Sequence, residues 1–410
     1  MKNNYSSVAT LDEAALLASD QTMLAYCQGT FSVGGVLIQC STGEVIHALH
    51  NNVVVDGVTQ DPTAHGERQL VDWYFEQVDG GATLPSPEDL MVVTSLDPCC
   101  MCTGSLASAG FKAVISANDE FAGINYDLSA TFPSVTDPET LQNTFSYPAV
   151  SGATCFAREE SGAPLPALFD GQSIDEHTQA INRALFDATL TSVQETISGD
   201  EPPDPDFNIA TLSPDNPIVL GLKSIYPQAL DYTLAVPGTP DSGLIPFIEA
   251  AQQEDIANGG NGDVAALIDA FGNLILCLPG QLALSPILTP WMRVTREYQQ
   301  LKHTMITTAV ADARKYLLHP KYGVILFLRC PNDSFRDLVD LGAYGSTMEA
   351  EIPDMGWPNF QFIQPSTIAD VQSYLDGLPP FYSTLVKVSL TQVTDTSLWD
   401  AFPIVPPPAR

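Results

Sequence analysis

The sequence predicts an α/β protein of two or three compact units, and three observations carry that prediction. Apolar, β-branched runs alternate with helical periodicity from residue 11 to residue 117. An acidic, proline-rich stretch, Ser198 to Asp206, then interrupts the chain near its middle. Beyond it, strand and helix signals resume with a spacing that echoes the first half. At 410 residues and 45% hydrophobic, the chain has ample material for separate buried cores.

Leu11 to Cys27 reads as a helix, with apolar Leu11, Ala15, Leu16, Leu17, Met23 and Leu24. Ser32 to Cys40 is a strand, Ser41-Thr42-Gly43 a turn, and Glu44 to Val54 the return strand of a hairpin. Asp61-Pro62-Thr63 offers a helix start, and His65 to Gln77 keeps Leu70, Val71, Trp73, Tyr74 and Phe75 apolar. Asp89 to Leu96 is a buried strand, a short helix runs from Pro98 to about Ala109, and Lys112 to Ala117 is the next strand. Such alternation implies a three-layer α/β/α arrangement. Ser173 to Ile197 is a longer amphipathic helix that leads into the linker.

In the second half, Val264 to Ile268 lies 231 residues after Val33 to Leu37, and Cys330 lies 231 residues after Cys99. Phe271-Gly272-Asn273 is a turn, Trp291 to Leu301 a helix, and Gly323 to Leu328 a strand. Two readings stand: a degenerate repeat of the first half, or a chance likeness between two α/β patterns. A repeat would have lost its chemistry, since this spacing sets Asp333 against Cys102 and the intervening helix has no His-x-Glu.

The chemistry lies in His65-Gly66-Glu67 and Pro98-Cys99-Cys100-Met101-Cys102. One imidazole and two thiolates make three zinc ligands and leave the fourth tetrahedral corner for water. A helix starting after Pro98 puts Cys99 and Cys102 one turn apart, and its positive end favours thiolates. The alternatives are a closed zinc finger and a redox Cys-x-x-Cys. A finger needs a fourth ligand, and Cys100 points away when Cys99 and Cys102 converge. Glu67 alone would be read as a charge placed for the helix dipole; two residues from a zinc histidine, it is read as a proton carrier.

Charge and cysteine usage narrow the partners. With 16 Lys and Arg against 49 Asp and Glu, the net charge is −33, which argues against a nucleic-acid partner. Asp12 and Glu13 stand where a signal peptide needs apolar residues, and no apolar run reaches the roughly 18 residues of a membrane span. Three of the eight cysteines crowd at 99, 100 and 102 while the rest are scattered. That is a metal site plus core thiols, so a cytoplasmic location without membrane contact is expected.

Asn51-Asn52-Val53, Asp61-Pro62-Thr63-Ala64-His65-Gly66-Glu67 and Pro98-Cys99-Cys100-Met101-Cys102-Thr103-Gly104-Ser105-Leu106 resemble the cytidine deaminase superfamily. The resemblance is closest to the branch of guanine deaminases and tRNA adenosine deaminases, with their Asp-Pro-Thr-Ala-His-Ala-Glu and Glu-Pro-Cys-x-Met-Cys strings. Ser32 to Leu37 is similar to the first core strand of that branch. It covers residues 10 to 130, about a third of the chain. It implies a zinc cofactor, a mixed five-stranded sheet flanked by helices, and enzymes that act as dimers. It also implies a substrate-binding asparagine, Asn51 first and Asn52 second, with Ala64 and Pro98 beside the substrate. Phe121 to Asp127 is similar to a guanine deaminase segment, which tilts the substrate toward a purine. Gly66 departs from the usual alanine, Asp97 from glutamate, and the loop from Asn51 to His65 is about three residues longer than in relatives. That loop borders the substrate, so it bears on substrate identity.

The domains expected are 1–160, a catalytic zinc deaminase domain; 161–209, a helix and acidic linker; 210–404, a degenerate deaminase-like domain; and 405–410, a tail. The function expected is hydrolytic deamination of a small aminated heterocycle with release of ammonia. Guanine or a purine nucleoside ranks first, cytosine or cytidine second, and a secondary metabolite third. From another class, the chain would be a non-catalytic, zinc-containing partner subunit; retention of Glu67 speaks for turnover. The second half would supply the partner of an intramolecular pseudo-dimer, or the chain would form a homodimer. Phe31 and Trp73 are secondary candidates for stacking on a base, and His47 and His50 for the pocket. Trp291, Trp357 and Trp399 are read as core or interface residues.

Overall fold

The structure, a computed structural model, describes residues 6–124, 138–150, 163–331, 334–365 and 371–403. Asp333, the end of the Phe121 to Asp127 segment and the 405–410 tail lie outside the described residues.

Helix α1, Leu11–Gln28, opens on a capping box in which Thr10 and Glu13 satisfy each other's backbone N–H groups. Strands β1 (Gly34–Gln39) and β2 (Val45–His50) form the expected hairpin. β2 ends at His50, short of the expected Val54, because the chain turns off into a two-stranded ribbon of β3 (Val54–Val55) and β4 (Val58–Thr59). There follow α2 (Gly66–Asp79), β5 (Leu90–Thr94), α3 (Cys100–Ala109) and β6 (Lys112–Ile115). Short elements α4 (Pro138–Thr144) and β7 (Phe145–Ser146) complete a five-stranded mixed sheet of order β2-β1-β5-β6-β7.

The central strands are apolar on both faces, as strands covered on both sides are. Val36, Ile38, Met91 and Val93 point to the core under α1, whereas Leu37 and Val92 point to the core under α2 and α3. Period-two alternation thus divides one apolar run between two helical layers.

After α5 (Glu176–Ser198) come α6 (Pro217–Ile225), α7 (Ile245–Ala257), β8 (Val264–Ile268), β9 (Leu274–Pro279), α8 (Pro290–Thr307), α9 (Ala313–Tyr316), β10 (Val324–Arg329), α10 (Phe335–Met348), β11 (Phe360–Gln364), α11 (Val371–Asp376), β12 (Thr391–Gln392) and α12 (Thr396–Ala401). The second sheet runs β9-β8-β10-β11-β12. Its neighbours pair antiparallel, antiparallel, parallel and parallel, the same directions as in the first sheet.

The acidic stretch is tied down at its start. Lys302 pairs with the Asp200 carboxylate, the Tyr322 hydroxyl donates to the Asp200 carbonyl at 2.9 Å, and Lys321 donates to the Ser198 carbonyl. The halves meet mainly through α3 and α10. A Cβ on Gly104 would lie 2.4 Å from the Phe335 carbonyl oxygen, and one on Gly342 would lie 2.0 Å from the Met101 amide nitrogen. Backbone on both sides leaves nothing to yield. Gly342→Ala is therefore expected to lower the unfolding free energy by about 1–3 kcal/mol, read as the denaturant midpoint. Zinc occupancy should fall with it, because Met101 lies between the two candidate ligands.

No helix among the described residues is long and apolar enough to cross a membrane.

Candidate active site

Three local structures deliver the site. The Asp61 carboxylate accepts hydrogen bonds from the Thr63 amide (2.8 Å) and hydroxyl (2.6 Å), which fixes the turn and sets His65 as the N-cap of α2. Glu67 then falls in the first turn, and Cys99, the N-cap of α3, places Cys102 three residues on. His65 Nδ1 lies 3.5 Å from Cys99 Sγ, and the ligand atoms of His65, Cys99 and Cys102 lie within 4.8 Å of one another. Ions held at roughly 2.0–2.3 Å by nitrogen and sulfur fit that span. No other such group of three occurs among the described residues.

Glu67 is buried with one carboxylate oxygen 2.9 Å from the Thr94 hydroxyl and the other 3.5 Å from Cys102 Sγ. Burial drives its pKa up, opposed by His65. A hydrogen bond from Cys102, with His65 adding to it, outweighs burial and holds the Cys99 pKa well below its ordinary value. Burial, first, pushes the Cys102 pKa up.

His65, Glu67 and Cys99 line a cavity that, with its open mouth, spans about 590 Å³. Asn51 is 1% exposed, and its oxygen is held by the Thr30 hydroxyl (2.6 Å) and the Val53 amide (2.9 Å). Its Nδ2, with no partner among the described residues, is left to donate toward the cavity Asn51 lines. Phe31 lines the same cavity, edge-on to His65 at 6.2 Å.

Other expected residues lie elsewhere. The Asn52 amide is consumed by Gln28, Gln69 and the His50 carbonyl, so Asn52 is not among the cavity lining. Ala64 packs in the apolar cluster with Phe31 and Val33, and the Pro98 carbonyl accepts from Ile124 at 2.8 Å; neither lines the cavity. Trp73 stacks on His47 at 4.2 Å, and His50 bonds Gln28, all away from the metal group.

Four stretches supply lining residues that sequence reasoning missed. Phe186, Leu190 and Gln194 recur every four residues on α5, a stripe that reads as ordinary core. Asp119 precedes the segment singled out in the sequence and anchors it, accepting from the Phe121 amide at 3.0 Å. Ser346 and Glu349 come from the end of α10, and Phe381 and Tyr382 from further on in the second half.

Among its described residues, the second half carries no counterpart of the metal set. Thr289 and Ser334 cap α8 and α10 as His65 and Cys99 cap α2 and α3. By helix position, Trp291 stands for Glu67 and Asp337, rather than Asp333, for Cys102. Trp291 is fully buried, filling the place of the acid with core.

Behind the site, Arg68 is 2% exposed and pairs with Asp61 (3.0 Å) and Asp72, while Arg296 of α8 reaches Asp72 (2.9 Å) and Asp61 (3.5 Å). Burial would raise the Asp61 pKa; Arg68, Arg296 and the Thr63 hydrogen bonds more than offset it and hold it low. A depressed carboxylate stabilises the fold above its ordinary value of 3.8 and loses that contribution as pH falls through the lower folded value. Arg296→Met should raise that value, move the acid-unfolding limb to higher pH, and cost about 1–3 kcal/mol at neutral pH. Circular dichroism against pH and urea reads both.

Residues 9–118 match the model of the cytidine and deoxycytidylate deaminase zinc-binding region. Among curated proteins, none matches the chain. Among solved structures, a tRNA:A34 deaminase is 23% identical over 28% of this chain and 84% of its own, with a TM-score of 0.23. A guanine deaminase from Nitrosomonas europaea is 14% identical over 46% of this chain and 88% of its own, with a TM-score of 0.29.

Proposed function

We propose, from the premise that residues 9–118 are a zinc-binding domain of the cytidine and deoxycytidylate deaminase family, that this chain hydrolyses the C–NH₂ bond of a small heterocycle. One observation carries the proposal: three zinc-type donors lie within 4.8 Å of one another, and two of them, His65 and Cys99, line one cavity with the unligated Glu67 carboxylate. Zinc held by His65, Cys99 and Cys102 would acidify a coordinated water and stabilise negative charge on oxygen.

The chain's own residues do the rest. Glu67, held by the Thr94 hydroxyl, accepts one proton from water and passes it to the ring nitrogen; it then takes the second proton from the hydroxyl formed on the attacked carbon, leaving the carbonyl, and delivers it to the departing amine. Water and the amine yield a carbonyl and ammonia, so the reaction balances without a further reactant. Asn51 Nδ2 donates to an acceptor on the ring, while Phe31, Phe186 and Leu190 exclude bulk solvent.

The substrate proposed is guanine or a purine nucleoside, with cytosine or cytidine as the second choice. The charge of −33 disfavours a polynucleotide and leaves a small molecule as the substrate. The second half is proposed as a partner in cis, since its sheet repeats the order and directions of the first and α10 packs on α3. The test is ammonia release by zinc-loaded protein from purine and pyrimidine bases, nucleosides and nucleotides. Absence of ammonia from every compound would overturn the reading.

A further inference from the structure

We propose that Glu349, brought by the second half into the N-terminal cavity, is a specificity-determining residue that accepts a ring N–H of the substrate and so selects free bases over N-substituted ones. The inference rests on the deaminase reading and goes beyond it to the substrate class.

Pseudo-symmetric packing explains how Glu349 gets there. Helices α3 and α10 hold equivalent places after β5 and β10 and cross at Gly104 and Gly342. Each therefore directs its C-terminal end toward the other half. Helix α3 has 10 residues and α10 has 14, so α10 runs about one turn further. Ser346 and Glu349 lie in that extension and line the cavity that holds His65, Glu67 and Cys99.

The local chemistry is not that of a structural helix end. Glu349 takes the left-handed C-cap position, with φ of 49°, where glycine or asparagine is favoured. Its side chain turns inward, leaving the residue 6% exposed in a protein that has ample surface for acids. Among the described residues, no cation pairs with it. Gln194 Nε2 of α5 donates to one carboxylate oxygen at 3.1 Å, which orients the group. A carboxyl so placed is short of donors, and its pKa is pushed up to about 8, first by burial. An unpaired buried acid is costly, so one retained at a cavity wall points to a ligand that donates to it.

The surroundings restrict that ligand. Asp119, a second buried carboxylate, lines the same cavity, with Phe121, Phe186, Leu190 and Phe381 supplying apolar wall. Acceptors set in an apolar slot fit a flat ring carrying N–H groups. A sugar or methyl on that nitrogen removes the donor and adds bulk where Gln194 and Glu349 meet. By the same logic, a site that hydrogen-bonds an N–H rejects analogues lacking it far more strongly than an apolar pocket could.

The probes are guanine against 9-methylguanine and cytosine against 1-methylcytosine. Calorimetry on zinc-loaded full-length protein gives dissociation constants for wild type, Glu349→Gln and Glu349→Ala. Wild type is expected to prefer the N–H member of at least one pair by tenfold or more. Glu349→Ala should erase that preference, and Glu349→Gln, whose amide oxygen still accepts, should keep part of it. Circular dichroism and zinc content are measured on each variant, and Glu349→Gln serves where Glu349→Ala does not fold. Equal preference in wild type and variants, or no binding of any N–H compound, would overturn the proposal. Ammonia release is scored separately: turnover with an unchanged preference leaves the deaminase reading standing and removes only this one.

Discussion

Glu67→Gln is expected to lower kcat by about 10²–10⁴-fold against any confirmed substrate while zinc content and fold stay as in wild type. Glutamine is nearly isosteric and can keep the contact with the Thr94 hydroxyl, which lies 2.9 Å from the carboxylate. It cannot accept a proton from water or return one to the amine. KM should change little, because the lost contacts are those made as protons move. Elemental analysis beside steady-state ammonia release checks both halves of the statement. Wild-type turnover by the variant would remove Glu67 from the mechanism, and loss of zinc would reassign it to metal retention.

Removal of the metal should have the largest effect of all, complete loss of activity. Zinc added back should restore it and magnesium should not, because two thiolates and an imidazole suit zinc while magnesium prefers oxygen donors. His65→Ala should do the same irreversibly, leaving Cys99 and Cys102 with too few ligands for a catalytic site. The metal also joins two helices: His65 caps α2 and Cys99 caps α3. Chelation should therefore lower Tm as well as rate, since a ligand bound only by the folded state stabilises it. An unchanged Tm and full activity after exhaustive chelation, with zinc absent by elemental analysis, would sink the metal assignment.

Much of the first half was legible because its signals are local. A helix begun by Asp61-Pro62-Thr63 puts His65 and Glu67 in its first turn, and Pro98 starts the helix that sets Cys99 and Cys102 one turn apart. Strand β1 could be read from five apolar neighbours. The return strand was overextended at Val53 and Val54, because a β-branched run looks the same whether it joins the main sheet or folds into its own ribbon. What separates Asn51, which lines the cavity, from Asn52, which does not, is their partners Thr30, Gln28 and Gln69, which come from other elements.

The second half shows how far spacing can lead. A fixed offset of 231 set Cys330 against Cys99, whereas helix caps set Ser334 there. Loops absorb insertions and caps do not, so positions counted from a cap survive where positions counted along the chain slip. The acidic stretch likewise read as a free connector, yet Lys302, Lys321 and Tyr322 hold its start.

By itself the sequence singled out the candidate metal ligands, the candidate proton carrier and the order of the first layers, since each needs only residues within a turn or a hairpin of one another. Tertiary structure alone decided what surrounds the reacting ring. Gln194, Glu349 and Tyr382 come from three separate segments and enter one cavity, Glu349 because α10 packs closely on α3 at glycines. Side-chain type fixes what a residue can donate or accept, and only packing fixes what stands opposite it.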